Sequence, residues 1–514
     1  MRKSLTLITI CKLCFAFLKI LKDYAFRVEI LSFLQRVAPK FDKIPMSNLK
    51  EEIEEILEES AAKINFSKSV GVDGINGENF LHNGDELKII ERKINAKCYK
   101  FSNYKENLII KRHNSTRQIS IPTQRDKLVL QGLLKVLKKD FSLNNTSAKN
   151  KIIDIKNNLS NYDSFIKIDI ENFFPSISHE KLLPIIRRKA NDEIFNLIRL
   201  AITQPTVSLA IPKKERNTSI NTKGVPQGLP ISSFLSDIFL KEIDREYESN
   251  PNIRYYRFVD DILILCTSSN INTLISNIEK KFIDLDLKAH PQSENKDKSS
   301  HGSIKDGFQY LGYSFINNLV SVRNSSVQRF YNNINKLFVV YNHKKSKIKK
   351  KDKVNINKLT RNLIHDLNEK IAGAKYKDKK YGWIDYFSEI NDLTLLFKID
   401  HHVKNMADKY LDDCDLEYLK NNNLKIKKNS KAIFEIKKKD SKYVEHPDSL
   451  ERLFEGLFSD KNNLNKDSKK ITKKLKTQSE ENPLIKKISK KTNTSDFRNP
   501  EKSIRSLRSD VEPY

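Results

Sequence analysis

The stretch RYYRFVDDILIL, residues 254–265, limits the possible folds more than any other part of the chain. It sets two adjacent carboxylates, Asp260 and Asp261, within apolar and β-branched residues that predict two short strands joined by a tight turn. Two carboxylates a few ångströms apart repel by about 3 kcal/mol at an effective dielectric constant of about 20. We therefore expect a compensating cation beside them, and Mg²⁺ is the natural one because it prefers carboxylate oxygens.

A third carboxylate in a similar setting lies upstream, in the segment IKIDIENFF. Asp169 is near the end of a predicted apolar strand (164–170), and the alternation of side chains along a strand puts Glu171 on the same face. A strand followed by a helix, together with an acidic hairpin, predicts an α/β palm with helices behind a sheet and acids on its open face. Two metal ions held there would align an attacking hydroxyl and neutralise a leaving pyrophosphate.

Each of these features also has an ordinary explanation when it is taken alone. An Asp-Asp hairpin is often a solvated turn, an acid that ends a strand before a helix is often an N-cap, and VPQGLPISS could be an unremarkable Gly/Pro loop. Their combination in one order favours the catalytic interpretation: a strand with Asp169, then a Gln-Gly loop and a helix, then the Asp-Asp hairpin.

Charge and cysteine content narrow the class of protein and its compartment. The formal net charge is +29, from 94 Lys and Arg against 65 Asp and Glu, which favours a polyanionic partner and nucleic acid first. The abundance of Lys, Asn and Ile is also what an AT-rich genome produces. The 5 scattered Cys do not form a disulfide framework, so we expect a reducing, cytoplasmic setting. The lone CKLC motif at 11–14 is better explained by small apolar residues on a helix than by a zinc site.

In their order along the chain, these motifs resemble the palm and fingers of a reverse transcriptase. FVDD resembles the [YF]xDD signature, KIDIENFFPSI the first catalytic motif, and GVPQGLPISSFLSDIF the second. FQYLGYSF is similar to the primer-grip hairpin of bacterial enzymes. GVDGI and RQISIPTQRDKLVL resemble fingers elements of group II intron-like enzymes, so the resemblance covers about residues 70 to 320.

The resemblance implies a two-metal catalytic centre. Asp169, Asp260 and Asp261 match the three metal-binding acids of the family, and Ile170 would lend a backbone carbonyl. The implied cofactor is Mg²⁺, two ions, with Mn²⁺ as a substitute. The fourth motif of the family usually offers a Lys, and here the segment LKAHPQSENKDK leaves both Lys296 and Lys298 open.

The resemblance also implies residues that bind the nucleotide. Phe174 matches an aromatic steric gate that excludes a 2′-hydroxyl, so deoxynucleoside triphosphates are the expected substrate; core packing is its alternative role. Gln227 and Gly228 would line the nucleotide pocket, because Gly lets a backbone approach closely. Lys111 and Arg117 would bind the triphosphate from the fingers hairpin, where a solvated surface charge is the alternative for Lys111.

The implied fold class is α+β, a right-hand polymerase fold with fingers and palm, followed by a mainly helical thumb and C-terminal region. A long amphipathic helical region is expected over 381–411, and no segment is a candidate to cross a membrane. The predicted segments are an N-terminal extension (1–45), either an amphipathic helix or a stretch ahead of a start at Met46; an N-terminal helix and fingers (46–150); the palm (151–320); a thumb-like region (321–421); and a basic, partly flexible region (422–514).

The wording of PQGLPISS and RFVDD, with the long C-terminal region, most resembles bacterial Abi-type and unknown-group reverse transcriptases, which are associated with defence against phage. The implied partners are an RNA template, including a dedicated non-coding RNA, the DNA product, and a second copy of the chain. Some members prime on a protein hydroxyl, which makes the region up to Tyr514 a candidate primer. A retron enzyme, an intron maturase and a catalytically silent nucleic-acid-binding palm are the alternatives. RNA-templated RNA synthesis is disfavoured by Phe174.

Overall fold

The structure is a computed structural model that describes residues 69–82, 85–110, 116–143, 146–292, 298–349, 351–376 and 379–433. Some of the sequence-based predictions fall outside these ranges. They are the 1–45 extension with its CKLC motif, the start at Met46, Lys111, Lys296, and the C-terminal region from residue 434 to Tyr514.

The helices and strands follow the predicted order. In chain order the helices are α1 (Gly77–His82), α2 (Asp85–Asn95), α3 (Gln124–Asp140), α4 (Ala148–Asn158), α5 (Phe173–Ser176), α6 (His179–Arg187), α7 (Asp192–Thr203), α8 (Ser232–Glu248), α9 (Ile271–Asp284), α10 (Asn324–Ser346), α11 (Lys353–Ala372), α12 (Trp383–Tyr386), α13 (Leu393–Tyr410) and α14 (Asp413–Asn421). The strands are β1 (Tyr104–Ile110), β2 (Thr116–Ile121), β3 (Ser164–Asp169), β4 (Thr206–Val207), β5 (Arg254–Phe258), β6 (Asp261–Cys266), β7 (Ser300–Ser303), β8 (Phe308–Tyr310), β9 (Tyr313–Ile316), β10 (Leu319–Val322), β11 (Ala374–Tyr376) and β12 (Lys379–Tyr381).

The palm is an antiparallel sheet in the order β5-β6-β3-β7, with β3 and β6 in its interior. Alternation along β3 assigns its residues to two faces. Ile166 and Ile168 pack with α8 and α9 into one hydrophobic core. Phe165 lies on the other face and packs into a second core with the β8–β9 hairpin, and Lys167 and Asp169 follow it along that face. The acid-bearing face is therefore open at one end and covered at the other.

The fingers are built on the predicted hairpin. β1 and β2 pair antiparallel from Lys105↔Ile121 to Ile110↔Thr116, and β1 also pairs with β4 in parallel. Helix α3 begins directly after β2, where Thr123 caps it by accepting a hydrogen bond from the Asp126 amide at 3.1 Å. The buried Asp126 carboxylate accepts a further bond from the Tyr99 hydroxyl at 2.8 Å, which fixes the entry of this helix.

The region after the palm is mainly helical, as predicted, but its longest predicted helical stretch is interrupted. Between 381 and 411 the chain forms β12, the single turn α12 and then α13, because Gly382 has φ +136 and Asp392 starts a new helix by capping the Leu395 amide at 3.0 Å. Trp383 is fully buried in the second core. This core extends to Ile433, and no helix in the described ranges is long and apolar enough to cross a membrane.

Candidate active site

The Asp-Asp hairpin forms as predicted, with strands β5 and β6 joined by the two residues Val259 and Asp260. Phe258 pairs with Asp261 at the mouth of the turn. Val259 has φ +58, a left-handed conformation that costs a β-branched residue about 1–2 kcal/mol. Strain of this kind persists where the surrounding structure holds it, and it is often found at functional sites.

The sheet brings the three predicted acids together. Asp169 on β3 is the direct cross-strand partner of Asp261 on β6, so their side chains share one face of the sheet. The Ile170 amide donates to the Asp260 carbonyl at 3.2 Å, which ties the end of β3 to the turn. Asp169 and Asp261 are 7% and 2% exposed, so two of the three carboxylates are held almost out of solvent.

Basic side chains lie beside Asp169. Lys298 Nζ lies 2.8 Å from Asp169 Oδ2, and His290 lies 3.4 Å from both Asp169 and Glu171. The shared His290 contact agrees with the prediction that Asp169 and Glu171 lie on one face. Burial first, and then the Asp169 carboxylate, raise the pKa of Asp260, while Lys298 among other groups lowers it. The surroundings of Asp260 therefore disfavour its charged form. Of the two lysines left open in the fourth motif, Lys298 contacts an acid, and Lys296 lies outside the described ranges.

The two adjacent acids occupy different places in the hairpin. Asp260 occupies the turn and faces the cleft, whereas Asp261 is the first residue of β6 and lies beneath it. Lys167 Nζ is 3.9 Å from Asp261 Oδ1, and the Tyr310 hydroxyl donates to the Asp261 carbonyl at 3.2 Å. Part of the compensating positive charge is thus a buried lysine of the chain itself, two residues before Asp169.

A cleft of about 560 Å³ lies above these acids, within the usual range for a small-molecule site. Five of the predicted site residues line it, namely Arg117, Asp169, Ile170, Gln227 and Asp260, and so does Lys298, one of the two candidate lysines. Arg117 enters from β2 of the fingers, and Lys298 and His290 enter from the palm. A lining that combines carboxylates with Arg117 and Lys298 suits a substrate that carries both a metal-bound phosphate and a free one.

Gly228 has a different close neighbour from the one predicted. It has φ +105, and a Cβ there would lie 2.8 Å from both Ile119 Cγ2 and the Ser120 carbonyl. The Ser120 amide also donates to the Gln227 carbonyl at 2.6 Å. The close approach is therefore to the fingers strand β2. This packing presents Gln227 to the cleft, whereas Gly228 itself is not among the lining residues.

Phe174 is half-buried, and its ring packs against the first core and against Phe173, with centroids 5.7 Å apart. The cleft wall includes Phe173 and the neighbouring Asn172, but not Phe174. The Phe174 carbonyl accepts a hydrogen bond from the Val225 amide at 2.9 Å, so this residue supports the loop that carries Gln227. Its assignment as a steric gate stays a prediction.

The donor set of the site suits a hard divalent cation. It consists of carboxylate oxygens, with the Ile170 backbone at the same place, and it contains no sulfur. Burial and, after it, the neighbouring Asp169 carboxylate raise the pKa of Asp260, and a bound cation would stabilise its charged form. Within the described ranges, the group of three potential ligands whose atoms lie within 4.8 Å of one another is His365, Asp366 and Glu369 on α11. The palm acids are not gathered so closely, and lysines lie among them instead.

Several residues that position the site were missed by the sequence reasoning. The buried His179 at the start of α6 is within 2.7 Å of the Gly224 carbonyl, and Ser232 Oγ donates to the Pro226 carbonyl at 2.6 Å. Both hold the loop that carries Gln227. Lys167 had a detectable signal, because alternation from Asp169 puts it on the acidic face. The roles of His179 and Ser232 depend on long-range contacts that local patterns do not reveal.

A polar wall of the cleft was also missed. It comes from the loop that follows β4 and contributes Asn217, Ser219 and Asn221. The Asn221 side chain donates to the Gln204 carbonyl at 2.7 Å, and its amide donates to the Thr203 carbonyl at 2.8 Å. The loop is thus fastened to the end of α7, which no motif predicted.

Comparison with known proteins agrees with this geometry. Residues 105–315 match the family model described as reverse transcriptase (RNA-dependent DNA polymerase). The chain is 26% identical over 193 residues to the putative COX1/OXI3 intron 2 protein of Saccharomyces cerevisiae, covering 36% of this chain and 21% of that protein. It is 28% identical over 176 residues to an uncharacterized 91 kDa protein in the cob intron of Schizosaccharomyces pombe, covering 32% and 21%. It is 23% identical over 310 residues to protein YkfC of Escherichia coli, covering 50% and 79%.

Solved structures with similarity to this chain include apo telomerase from Candida tropicalis, at 14% identity and a TM-score of 0.36, covering 60% of this chain and 58% of that one. Telomerase from Candida albicans with a fragment of telomeric RNA has 14% identity and a TM-score of 0.34, covering 76% and 69%. The chain spans about a fifth of the length of the two intron-encoded relatives. Residues 105–315 are thus similar to a reverse transcriptase domain, and the observed fingers and palm agree with a right-hand polymerase fold.

Proposed function

We propose that this chain is an RNA-directed DNA polymerase. The observation that carries the proposal is the convergence of Asp169, Asp260 and Asp261 beneath a cleft whose rim carries Arg117 and Lys298. Nucleotidyl transfer needs both the carboxylates and the basic residues, because a nucleoside triphosphate brings a reacting phosphate and a leaving pyrophosphate. The matched domain supports the same reaction.

Each residue has a role in this reaction. Asp169 and Asp260 would hold the metal, with the Ile170 carbonyl as a further ligand and Asp261 supporting them from β6. When bound, two Mg²⁺ ions, or Mn²⁺ in their place, activate the primer hydroxyl and neutralise the charge of the leaving group. Arg117 approaches from the fingers and is suited to a bidentate contact with the triphosphate. Lys298 is close enough to Asp169 to contact the same phosphates.

The proposed substrates are an RNA template and deoxynucleoside triphosphates, with DNA as product. The net charge of +29 supports binding to a nucleic-acid backbone, and an A-form duplex is recognised mainly by its shape and phosphates. Phe174, five positions after Asp169, is the proposed determinant of sugar choice. From the sequence alone, we also propose that the protein is cytoplasmic and that it associates with a second copy of the chain.

The experiment is incorporation of labelled deoxynucleotides by the purified full chain on an RNA template with a DNA primer and Mg²⁺. Asp260→Asn removes a charge at the proposed metal site and should reduce incorporation by about 10³-fold, which corresponds to about 4 kcal/mol. Asp286→Asn is the matched control, because Asp286 is an exposed acid paired with Lys181 at 2.9 Å and does not line the cleft. Equal activity of Asp260→Asn and Asp286→Asn would refute the assignment of the site.

Inactivity of the unaltered chain on every template would favour the silent, nucleic-acid-binding palm. The assay is therefore run both with added template and with co-purified RNA left in place, so that a dedicated RNA partner is not lost. Bound RNA without any synthesis in either format would be the result expected of such a scaffold.

The biological setting is proposed in two forms. Defence against phage is supported by the resemblance of PQGLPISS and RFVDD to Abi-type and unknown-group enzymes. An intron maturase is supported equally by relatives described as intron proteins. Sequencing the RNA that co-purifies with the chain and the DNA it makes separates the two. An intron RNA whose splicing the chain promotes indicates a maturase, whereas DNA copied from a dedicated RNA, or made without template, indicates the defence class or a retron.

Protein priming belongs to the defence form of the proposal. DNA that stays attached to the chain after denaturation, and is released by protease, would identify a protein primer. Replacement of Tyr514 by Phe then tests the C-terminal tyrosine directly. Attachment that persists in the Tyr514→Phe variant would assign priming to another hydroxyl.

A further inference from the structure

Arg257 lies on β5 next to the Asp-Asp turn, and all three nitrogens of its guanidinium donate hydrogen bonds. Its Nε and Nη2 donate to the two oxygens of Asp244 at 2.7 and 2.5 Å, and its Nη1 donates to Asp237 at 3.0 Å. Nη1 also donates to the Val259 carbonyl at 2.9 Å. The Arg257 side chain is 6% exposed, so these bonds form where water competes little.

The Val259 contact joins this buried network to the strained residue of the site. Val259 has φ +58 and immediately precedes Asp260, whose carboxylate faces the cleft. A left-handed conformation of a β-branched residue relaxes unless other bonds hold it. The bond from Arg257 to the Val259 carbonyl holds the peptide that leads directly into Asp260, so the direction of that carboxylate depends on it.

The two carboxylates that hold Arg257 lie seven residues apart on α8, on one face of that helix. The same helix holds the loop that carries Gln227, called the nucleotide loop from here on. Ser232, at the first position of the helix, donates to the Pro226 carbonyl of that loop at 2.6 Å. The Tyr255 hydroxyl adds a bond from β5 to Asp244 at 2.9 Å. One rigid helix thus supports both the acidic turn and the loop that carries Gln227.

We propose that Arg257 is a positioning residue that fixes the Val259–Asp260 turn for metal binding and, through α8, keeps that turn in register with the nucleotide loop. The inference rests on the proposed function and deepens it. Arg257 does not reach the cleft, since it is absent from the residues that line it, and it acts through the turn. Lysine does not replace it, because a single ammonium lacks the planar fork that binds Asp244 in bidentate fashion and reaches Val259 at the same time.

The test compares Arg257→Lys with Arg254→Lys in the full chain. Arg254 lies on the same strand and pairs with Asp154 at 3.4 Å, but its side chain is 51% exposed and its partner is on α4. Three quantities are measured for each variant: the thermal unfolding midpoint, Mn²⁺ binding by electron paramagnetic resonance, and kcat and KM for deoxynucleotide incorporation. Loss of a bond that orients a metal ligand typically costs about 10- to 100-fold in metal affinity or activity.

The expected result is that folded Arg257→Lys binds Mn²⁺ at least about tenfold more weakly and loses kcat by a similar factor, while Arg254→Lys matches the unaltered chain. A lower midpoint with unchanged Mn²⁺ affinity and kcat would make Arg257 purely structural and would overturn the inference. If Arg257→Lys does not fold, Asp237→Asn keeps the Asp244 pair but removes the charge that holds Nη1, the nitrogen that donates to Val259, and a smaller loss of Mn²⁺ affinity and kcat is expected.

The metal-binding and activity measurements distinguish failure of the positioning role from failure of the proposed polymerase function. Weakened Mn²⁺ binding in Arg257→Lys, in a chain that makes no DNA on any template, supports the positioning role and counts against the polymerase. Mn²⁺ binding that Asp260→Asn leaves unchanged shows that the palm acids hold no metal, and this overturns the positioning role as well.

Discussion

Replacement of Gly228 by Ala tests whether the nucleotide loop depends on its close packing against the fingers. The residue has φ +105, which costs an alanine about 1–2 kcal/mol. The new methyl group would also lie 2.8 Å from the Ile119 side chain and 2.8 Å from the Ser120 carbonyl. Because the Ser120 contact is to backbone, relief requires the loop or β2 to move, and such overpacking costs about 1–3 kcal/mol. We expect a total loss of about 3 kcal/mol in the free energy of unfolding.

Gly74 provides the matched control, because it has φ +75 and nothing lies within 4 Å of the place that a new methyl group would take. Gly74→Ala carries the conformational cost alone, about 1–2 kcal/mol, so the difference between the variants isolates the clash. Urea unfolding measures both losses, and primer extension measures KM for the deoxynucleotide. Movement of Gln227 should raise that KM in Gly228→Ala only. Equal stability and equal KM in the two variants would refute the packing argument.

Other residues of the site and of the helical region give three more tests. Phe174→Ala should raise ribonucleotide incorporation relative to deoxynucleotide incorporation. An unchanged ratio of the two would refute the assignment of Phe174 as a steric gate. Lys345→Met should destabilise the fold by about 3–5 kcal/mol, measured by urea unfolding, because it leaves the buried Asp415 carboxylate without its cation. The Lys345 hydrogen bond lowers the pKa of Asp412 below its ordinary 3.8, so the Asp412 contribution to this loss is complete above pH 3.8 and disappears as the pH falls through the lowered pKa. His179→Ala removes the ring that contacts the Gly224 carbonyl and should cost about 1–3 kcal/mol while raising KM for the nucleotide; an unchanged KM would show that the loop holds without it.

The acidic elements could be predicted from the sequence because their patterns are local. Period-two alternation around Asp169 and the apolar flanks of the Asp-Asp pair predicted the strands and the turn, and the structure has both within a residue or two. The fingers hairpin that the resemblance implied is also present, as the antiparallel pair β1 and β2. The prediction for 381–411 was less accurate, because a helical periodicity does not reveal where Gly382 and Asp392 interrupt it.

Local sequence patterns were enough to establish which residues carry charge and which strands hold them, since these depend on side-chain type and on spacing over a few positions. The position of Asp261 beneath the cleft beside Lys167, and the packing of Gly228 on β2, emerged only from the folded chain. The same holds for Arg257, which reaches across from β5 to α8. Those relations join residues up to about a hundred positions apart, and they arise from how the sheet, the helix and the fingers pack, which no local pattern encodes.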